Sequence, residues 1–415
     1  MMTADATLIS CLDAEVDRTH DAAVAFLREL VRVPTDSPPG DNAPHAERAA
    51  QLLEALGFSV ERHPVPATEV AAAGLVSIVN LIVRRRFGPG PTIALNAHGD
   101  VVPPGEGWTR PPYEGVIEDG RMFGRGVAVS KSDFATYAFA LRALDAAARQ
   151  GAALRGAVEL HFTYDEEFGG ALGPARLLAR GLTRPDLALC AGFSYAIVTA
   201  HNGCLQLEVT VHGRAAHAAM PASGVDALQA AVRILEAIYA QNAVYATRRS
   251  ALAGIDSPTV NVGRIEGGTN TNVVPARVVL KLDRRIIPEE DVAAAEAGLR
   301  EAIAGAAAQS PGVRVEVRQL MLAQPLRPLP GHERLVASLA RHGERVFGEP
   351  LAAIATPLYT DARLYAEAGI PVVLYGAGPR TILEANAKRA DENLVLDDLR
   401  RATKVVAAAL ADLLA

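Results

Sequence analysis

Hydrophobic positions in the first half of the chain alternate between helical and strand-like spacing. Apolar residues recur every three or four positions over residues 22–31, 52–56 and 134–147, which predicts helices there. The segments between and after these helices carry β-branched and aliphatic runs that predict strands: FSVERHPV, SIVNLIV, TIALNAHGD, GVIEDGRMF and AVELHFTYDEE. Within GVIEDGRMF, the Asp119-Gly120 pair predicts a type I′ hairpin turn. Strands that alternate with helices are typical of an α/β domain with a mainly parallel central sheet flanked by helices.

A different pattern begins after residue 203. A strand, a helix over residues 226–240, two strands, a helix over residues 292–306 and a last strand follow one another. This β-α-β-β-α-β order is typical of the ferredoxin-like arrangement. Helical and strand-like segments then resume after Pro325. The sequence therefore predicts an α/β domain of residues 1–203 and 323–415, interrupted by an inserted ferredoxin-like α+β domain of residues 204–322.

Composition narrows the class of protein. With 415 residues, 50% of them hydrophobic and 21% charged, the chain has the profile of a globular protein rather than a disordered one. Its net charge of -6 creates no basic field for phosphate backbones, so we expect no nucleic-acid partner. No apolar run reaches the roughly 18 residues of a membrane span, and residues 1–20 carry acidic side chains instead of a secretory signal. We therefore expect a cytoplasmic protein with no membrane partner.

Cysteine usage restricts the kind of metal site. The three cysteines, Cys11, Cys190 and Cys204, are widely spaced and form no CxxC pair. Neither a disulfide framework nor a thiolate cluster is therefore expected, which fits a reducing compartment. The chain also contains 10 histidines and 47 acidic residues. A metal site here would have to use imidazole and oxygen ligands.

Two polar clusters follow predicted strands, where α/β sheets place their binding crevices. His98 and Asp100 come directly after the strand TIALNA, and Glu166 and Glu167 follow the strand AVELHFT. A carboxylate can fix the tautomer of a metal-binding histidine, and paired carboxylates can divide metal binding and proton transfer between them. Taken alone, the first cluster is more often a structural turn histidine, and the second is usually a solvated loop edge.

Longer motifs carry a resemblance that covers nearly the whole chain. These motifs are five segments: HGDVVPPGEGWTRPPYEGVIEDGRMFGRG, DEEFGG, VTVHGRAAHAAMP, GGTNTNVVPA and TDARLYAEAGIPVVLYGAG. Together they resemble the acetylornithine deacetylase, succinyl-diaminopimelate desuccinylase, aminoacylase and glutamate carboxypeptidase family of co-catalytic metallohydrolases. It implies a catalytic α/β domain with an inserted lid and dimerisation domain, a homodimer, and a divalent metal cofactor, with zinc favoured over manganese.

The resemblance also implies residue roles. His98 and Glu167 match metal ligands, Asp100 matches the partner that orients His98, and Glu166 matches the general base. His217 matches a histidine that stabilises the reaction oxyanion in a neighbouring subunit. Three further residues match positions that hold the substrate's carbonyl or carboxylate group: Asn272, Arg285 and Arg363. Structural roles as core, capping or ion-pair residues are the alternative for each of these last four side chains.

Three expected metal ligands are absent. Val129 stands where the family carries the bridging aspartate, Gly192 and Phe193 stand near the next acidic ligand, and Lys388 stands at the last histidine. Valine has no donor atom, and an ammonium is a poor ligand at neutral pH. Of five ligands only His98 and Glu167 are present, whereas a catalytic zinc normally has three. The usual two-metal centre is therefore not expected to form.

Three explanations stay open. In the first, Asp133 replaces the lost bridge and completes a mononuclear site with His98 and Glu167, since it lies one helical turn after Val129. In the second, no metal is bound, and Lys388, with Lys131 as a second candidate, polarises the substrate carbonyl while Glu166 handles the proton. In the third, the cleft binds a ligand without turnover.

The first explanation is the one that we predict. The expected reaction is hydrolysis of an amide-type C–N bond in a small N-acyl or N-substituted amino-acid-like molecule, by an enzyme of the deacylase, amidohydrolase or peptidase kind. The sequence leaves the substrate unspecified.

Overall fold

The computed structural model describes residues 4–415, with side chains from Thr7 onward. It contains ten helices: α1 (Ala4–Val31), α2 (Ala43–Ala55), α3 (Ala67–Ala72), α4 (Lys131–Arg149), α5 (Pro174–Ala179), α6 (Ala227–Tyr245), α7 (Val292–Ala307), α8 (Glu333–Phe347), α9 (Ala362–Glu367) and α10 (Leu396–Leu413), all within that described range.

The strands within the same range are β1 (Val60–Pro64), β2 (Val79–Arg86), β3 (Thr92–His98), β4 (Val116–Glu118), β5 (Arg121–Phe123), β6 (Ala157–Thr163), β7 (Leu187–Cys190), β8 (Ala196–His201), β9 (Gly203–His212), β10 (Thr259–Gly267), β11 (Arg277–Ile286), β12 (Arg314–Ala323), β13 (Ala352–Thr356), β14 (Val372–Leu374) and β15 (Asn393–Val395).

The chain divides into two compact units. The first unit comprises residues 1–199, 328–354 and 360–415, and the second comprises residues 200–327 and 355–359. The sequence placed the inserted domain at residues 204–322, and no sequence pattern assigned residues 355–359 to it. None of the described helices is both long and apolar enough to cross a membrane.

The first unit is built on an eight-stranded sheet with the order β1-β2-β6-β3-β7-β14-β8-β13. Its central strands β6, β3, β7 and β14 are parallel to one another, whereas β2 pairs with β6 and β8 pairs with β14 in antiparallel fashion. The prediction of an α/β fold with a mainly parallel centre is therefore confirmed. A separate three-stranded sheet joins β15, β5 and β4. The turn between β4 and β5 has φ of 47° at Asp119 and 72° at Gly120, as the predicted type I′ turn requires.

Helix α4 forms the centre of this unit's core. Nearly every residue of α4 is buried, and the helix contacts α1, α10, β3 and β6. Phe134 stacks on Phe162 of β6 with 3.8 Å between ring centroids. The β3–β6 register pairs His98 with Thr163, so the residues that follow these two strands emerge at one edge of the sheet.

The second unit has the predicted ferredoxin-like fold. Its antiparallel sheet has the order β10-β11-β9-β12, and helices α6 and α7 pack against it. Leu205, Leu207 and Val209 of β9 are fully buried, at alternate positions of the strand. The side chain of Asp226 accepts the backbone N–H groups of Leu228 and Gln229 and thereby begins α6. The predicted fold class is confirmed for this unit as well.

Candidate active site

Asp100 joins the ends of β3 and β6. Residues Glu166–Phe168 form a short 3₁₀ helix directly after β6. The Asp100 carboxylate accepts the Glu166 N–H at 3.3 Å through Oδ1 and the Glu167 N–H at 3.0 Å through Oδ2. Asp100 is fully buried. It therefore satisfies the free N–H groups at the start of this helix and fixes both glutamates beside His98.

His98 is held from both sides. Its Nδ1 lies 3.0 Å from the carbonyl oxygen of Asp100 and 3.3 Å from Asp100 Oδ1. Its Nε2 lies 3.8 Å from Glu166 Oε2. Burial alone would lower the pKa of His98, but the carboxylates of Glu166, Asp100 and Glu167 outweigh burial and raise this pKa to about 10. The imidazole is therefore protonated at neutral pH and acts as a cation among carboxylates.

Glu166 is a buried carboxyl next to groups of both signs. Burial raises its pKa to about 7, an effect that Glu167 and Asp100 reinforce and that His98 and Lys388 oppose. A carboxyl group with a pKa near the working pH is suited to both accepting and donating a proton. Glu166 thus has the environment of a general acid-base group.

Lys388 forms an ion pair with Glu167. Its Nζ donates to Glu167 Oε2 at 2.7 Å, and the side chain of Glu167 is 9% exposed while that of Lys388 is 52% exposed. Partial desolvation lowers the pKa of Lys388, but Glu167 and Glu166 outweigh this and raise it. The ammonium is therefore charged at neutral pH. Lys388 also has a φ of 61°, in the left-handed region that residues other than glycine rarely occupy.

The side chains present do not fit a divalent ion. Within residues 4–415, no group of three or more His, Cys, Asp or Glu side chains is arranged to hold a metal. Asp133 Oδ1 accepts the backbone N–H of Ala377 at 2.7 Å, and the Asp133 carboxylate also accepts that of Gly192. Burial raises the pKa of Asp133 to about 7. The predicted site of His98, Asp133 and Glu167 is not assembled, because backbone amides already occupy the Asp133 carboxylate.

Lys131 has a structural environment. It is fully buried, and its Nζ donates to the carbonyl oxygens of Val33 at 3.1 Å and Leu30 at 3.5 Å. Burial lowers its pKa to about 7. Lys131 therefore binds the carbonyl end of α1, in the manner of a helix C-cap. The metal-free explanation had Lys131 as a second candidate for polarising the substrate carbonyl. In the structure its ammonium instead binds the end of α1.

Arg363 is directed to the loop that follows the glutamates. Its guanidinium donates to the carbonyl oxygen of Gly169, and to Glu367 at 3.2 Å. Arg363 is buried, at 5% exposure. Gly169 comes directly after the 3₁₀ helix of Glu166 and Glu167. The observed contact of Arg363 thus supports that helix, whereas the sequence suggested a contact with substrate.

The second unit carries the other three predicted residues. The His217 segment bridges to Val273, and Ala218 N–H donates to the carbonyl oxygen of Asn272 at 3.0 Å, which brings His217 and Asn272 together. Arg285 donates to Asp283 at 2.7 Å, and its guanidinium carbon lies 5.6 Å from the ring centre of Tyr359.

Arg285 and His217 lie at opposite ends of the inserted sheet. Arg285 pairs with Cys204 at the start of β9, whereas Arg277 pairs with His212 at its end, next to the His217 segment. The eight residue-to-residue steps from Arg277 to Arg285 span about 26 Å of strand. One small molecule cannot contact Arg285 and His217 of the same chain.

Glu392 is a further polar residue of the site, and the sequence did not indicate its role. It accepts the N–H groups of Gly126 and Ala128 at 3.1 Å each, binds Arg125 at 2.5 Å, and accepts the backbone N–H of Lys388. The contacts with Arg125, Gly126 and Ala128 all lie in the loop directly before Val129. Glu392 therefore fixes the loop of Val129 and the backbone of Lys388 together. Its position two residues after the Lys388-Arg389-Ala390 run, inside ADEN, gave no indication of these contacts.

The fold is an α/β domain with an inserted α+β domain, and comparisons with known proteins agree. The profile of peptidase family M20/M25/M40 matches residues 94–412, so the chain belongs to this family of amide-bond hydrolases. Succinyl-diaminopimelate desuccinylase from Methylobacterium sp. (strain 4-46) is 29% identical over 398 residues, 92% of this chain and 94% of that protein.

Solved structures show the same fold at low identity. A di-peptidase from Saccharomyces cerevisiae superposes with a TM-score of 0.78 at 15% identity and covers 98% of both chains. The YXEP protein of Bacillus subtilis, described as a dinuclear metal binding peptidase of family M20, superposes with a TM-score of 0.65 at 17% identity. That match covers 96% of this chain and 99% of the YXEP chain. The family thus includes dinuclear metal enzymes, whereas the ligand set of this chain is incomplete.

Proposed function

We propose that this chain hydrolyses an amide-type C–N bond in a small N-acyl or N-substituted amino-acid-like molecule, with Glu166 as the general base. One observation carries the proposal: the buried Glu166 carboxylate lies beside His98 and the Glu167–Lys388 ion pair, at the sheet edge where α/β proteins bind ligands. This constellation combines a proton acceptor with positive charge.

The proposed reaction uses Glu166 twice. Its carboxylate takes a proton from water as the water oxygen bonds to the substrate's carbonyl carbon, and the carbonyl oxygen becomes an oxyanion. As the C–N bond then breaks, Glu166 gives that proton to the leaving nitrogen, which departs as a neutral amine. Asp100 positions Glu166 through the backbone contact at 3.3 Å.

Substrate recognition is assigned to the second unit. The similarity to a succinyl-diaminopimelate desuccinylase favours an N-acyl substrate that carries a carboxylate. Arg285 is half-buried and binds Asp283 through its Nε–H, so the two terminal nitrogens of its guanidinium are suited to hold that carboxylate. Arg363 is less suited, because its guanidinium already binds Gly169 and Glu367.

A homodimer through the inserted domain is part of the proposal. Since Arg285 and His217 of one chain lie too far apart for one small substrate, His217 would stabilise the oxyanion in the partner's site, with Asn272 beside it. A cytoplasmic location is proposed as well. Size-exclusion chromatography with light scattering tests the dimer directly, and a monomer at working concentration would rule out this role for His217.

The test of the reaction is turnover of a panel of N-acyl amino acids, measured by release of free amine. We expect wild-type turnover of at least one substrate and a loss of about 100-fold or more in kcat for Glu166→Gln, with KM little changed. Glu301→Gln is the matched control, because Glu301 is exposed on α7 of the other unit. Full activity of Glu166→Gln would exclude the base role. Binding of panel compounds without turnover would favour a ligand-binding homologue.

A further inference from the structure

Carboxylates dominate the candidate site. Asp100, Glu166 and Glu167 all lie within contact range of His98 or of one another. Such a cluster in a buried setting requires counter-charge. In a metallohydrolase that charge comes from the divalent ions. Here the observed partner of Glu167 is the Lys388 ammonium, at 2.7 Å.

We propose that the Lys388 ammonium stands in the place of the divalent cation, and that this chain works with no bound metal. The part of this proposal that concerns turnover rests on the proposed amide hydrolysis. The part that concerns metal binding is independent of it.

Missing donor atoms are the first line of support. Val129, Gly192 and Phe193 offer no side-chain donor at two of the five expected ligand positions. Asp133, the one replacement that the sequence offered, is bound to the backbone amides of Ala377 and Gly192. A Cβ atom at Gly376 would overlap the Asp133 carboxylate, so this glycine is what allows the close approach.

The orientation of His98 is the second line of support. Its Nδ1 is held by Asp100, which leaves Nε2 as the atom that would bind a metal. Nε2 instead faces the carboxylate of Glu166, the proposed general base, with 3.8 Å between Nε2 and Oε2. The carboxylate that remains for an ion, Glu167, is occupied by Lys388.

The placement of Lys388 is the third line of support. Its backbone N–H is bound by Glu392, which is itself fixed by Arg125 and by the loop before Val129. Its φ of 61° lies within a turn where Asn386 and Asp391 also have positive φ, of 50° and 55°. Non-glycine residues hold this conformation only where their surroundings impose it. The ammonium is therefore positioned by the fold rather than by its ion pair alone.

The chemistry of an ammonium differs from that of a metal. Nζ carries one positive charge and three N–H groups, of which one is used by Glu167. The others can donate to the carbonyl oxygen of a substrate and stabilise the oxyanion as it forms. An ammonium does not make bound water acidic, so Glu166 has to remove the proton from water that is not metal-bound.

The experiment measures metal binding first. Wild-type chain is incubated with excess ZnCl₂ or MnCl₂, desalted, and analysed for metal content by mass spectrometry. We expect far less than one equivalent of either metal. The double variant Val129→Asp with Lys388→His restores two donors, and we expect it to retain about one equivalent of zinc. Lys281→His is the control. Lys281 lies on β11 of the other unit with its side chain 39% exposed, so a histidine there should not increase the zinc content.

Turnover is measured second, with any substrate found by the amide panel. Wild-type turnover should be unchanged after dialysis against a chelator, and Lys388→Met should lower kcat at least tenfold, with partial rescue in Lys388→Arg. Stoichiometric zinc in wild type would overturn the proposal, whether or not a substrate is known. Chelator-sensitive turnover, or full kcat in a folded Lys388→Met variant, would also overturn it. Circular dichroism spectra establish that each variant is folded before its kcat is compared with that of wild type.

Discussion

Removal of the Glu392 carboxylate is expected to weaken the first unit and displace Lys388 at the same time. Glu392 is 1% exposed and accepts hydrogen bonds from Gly126, Ala128, the Lys388 backbone and Arg125, which is also 1% exposed. Loss of one member of a buried ion pair leaves the other charge uncompensated, at a cost of about 3–5 kcal/mol. We expect that cost for Glu392→Ala. Glu392→Gln, which keeps one oxygen acceptor, should lose less.

The chain provides its own probe for this measurement. Trp108, the single tryptophan, lies with its ring centre 5.3 Å from the guanidinium carbon of Arg125. Its indole N–H and the Arg125 guanidinium both donate to the carbonyl oxygen of Pro104, at 2.9 and 3.0 Å. Tryptophan fluorescence during urea unfolding therefore reports on the unit that contains Glu392, without a contribution from tryptophan in the second unit.

An exposed ion pair supplies the control. Glu118 binds Arg110 at the surface, and its side chain is 45% exposed, so Glu118→Gln should cost at most about 1 kcal/mol. If Glu392→Ala unfolds with the same urea midpoint as Glu118→Gln, the buried contacts of Glu392 do not stabilise the first unit and the reasoning is refuted. If the stability falls but kcat of the folded Glu392→Gln variant stays at the wild-type value, Glu392 does not position Lys388.

Two further predictions concern stability. Phe134 is fully buried and stacked on Phe162, so Phe134→Ala should lower the free energy of unfolding by about 3–5 kcal/mol in the same fluorescence assay; a loss below about 1 kcal/mol would contradict the packing. Burial opposes the ionisation of Asp412, but hydrogen bonds from His342, Ser338 and Arg341 lower its pKa to about 2, from an ordinary 3.8. Because the folded pKa is depressed, this stabilisation is present above about pH 4 and is lost as the pH falls through 2. The difference in free energy of unfolding between wild type and Asp412→Asn should therefore shrink as the pH falls over that interval. A difference that stays constant would contradict the lowered pKa of Asp412.

Secondary structure in this chain follows closely from hydrophobic spacing. The ferredoxin-like order of the second unit and the Asp119-Gly120 turn were predicted from local pattern and turn chemistry, which depend on neighbours in sequence. The sequence also placed His98 and Glu166 at strand ends, and the parallel β3–β6 register brings those ends together. The short helices α3, α5 and α9 were not predicted, because six residues give too little periodicity.

Side-chain direction was the part that the sequence could not supply. Periodicity places Asp133 and Lys131 in the first turn of α4, but not the partners that each side chain meets. Asp133 binds amides of residues 192 and 377, and Lys131 binds the end of α1. Arg363 likewise binds Gly169, through a contact across 194 positions of sequence. Such long-range polar contacts depend on the assembled fold, so the metal scheme that was inferred from helical spacing alone did not anticipate them.

Whether Lys388 replaces the metal is tested most directly by an anomalous difference map from a crystal of the wild-type chain soaked in zinc and measured at the zinc edge. We expect no peak among His98, Glu166 and Glu167, with the Lys388 ammonium still bound to Glu167. A peak coordinated by His98 Nε2 and Glu167, with Lys388 displaced from the carboxylate, would contradict it.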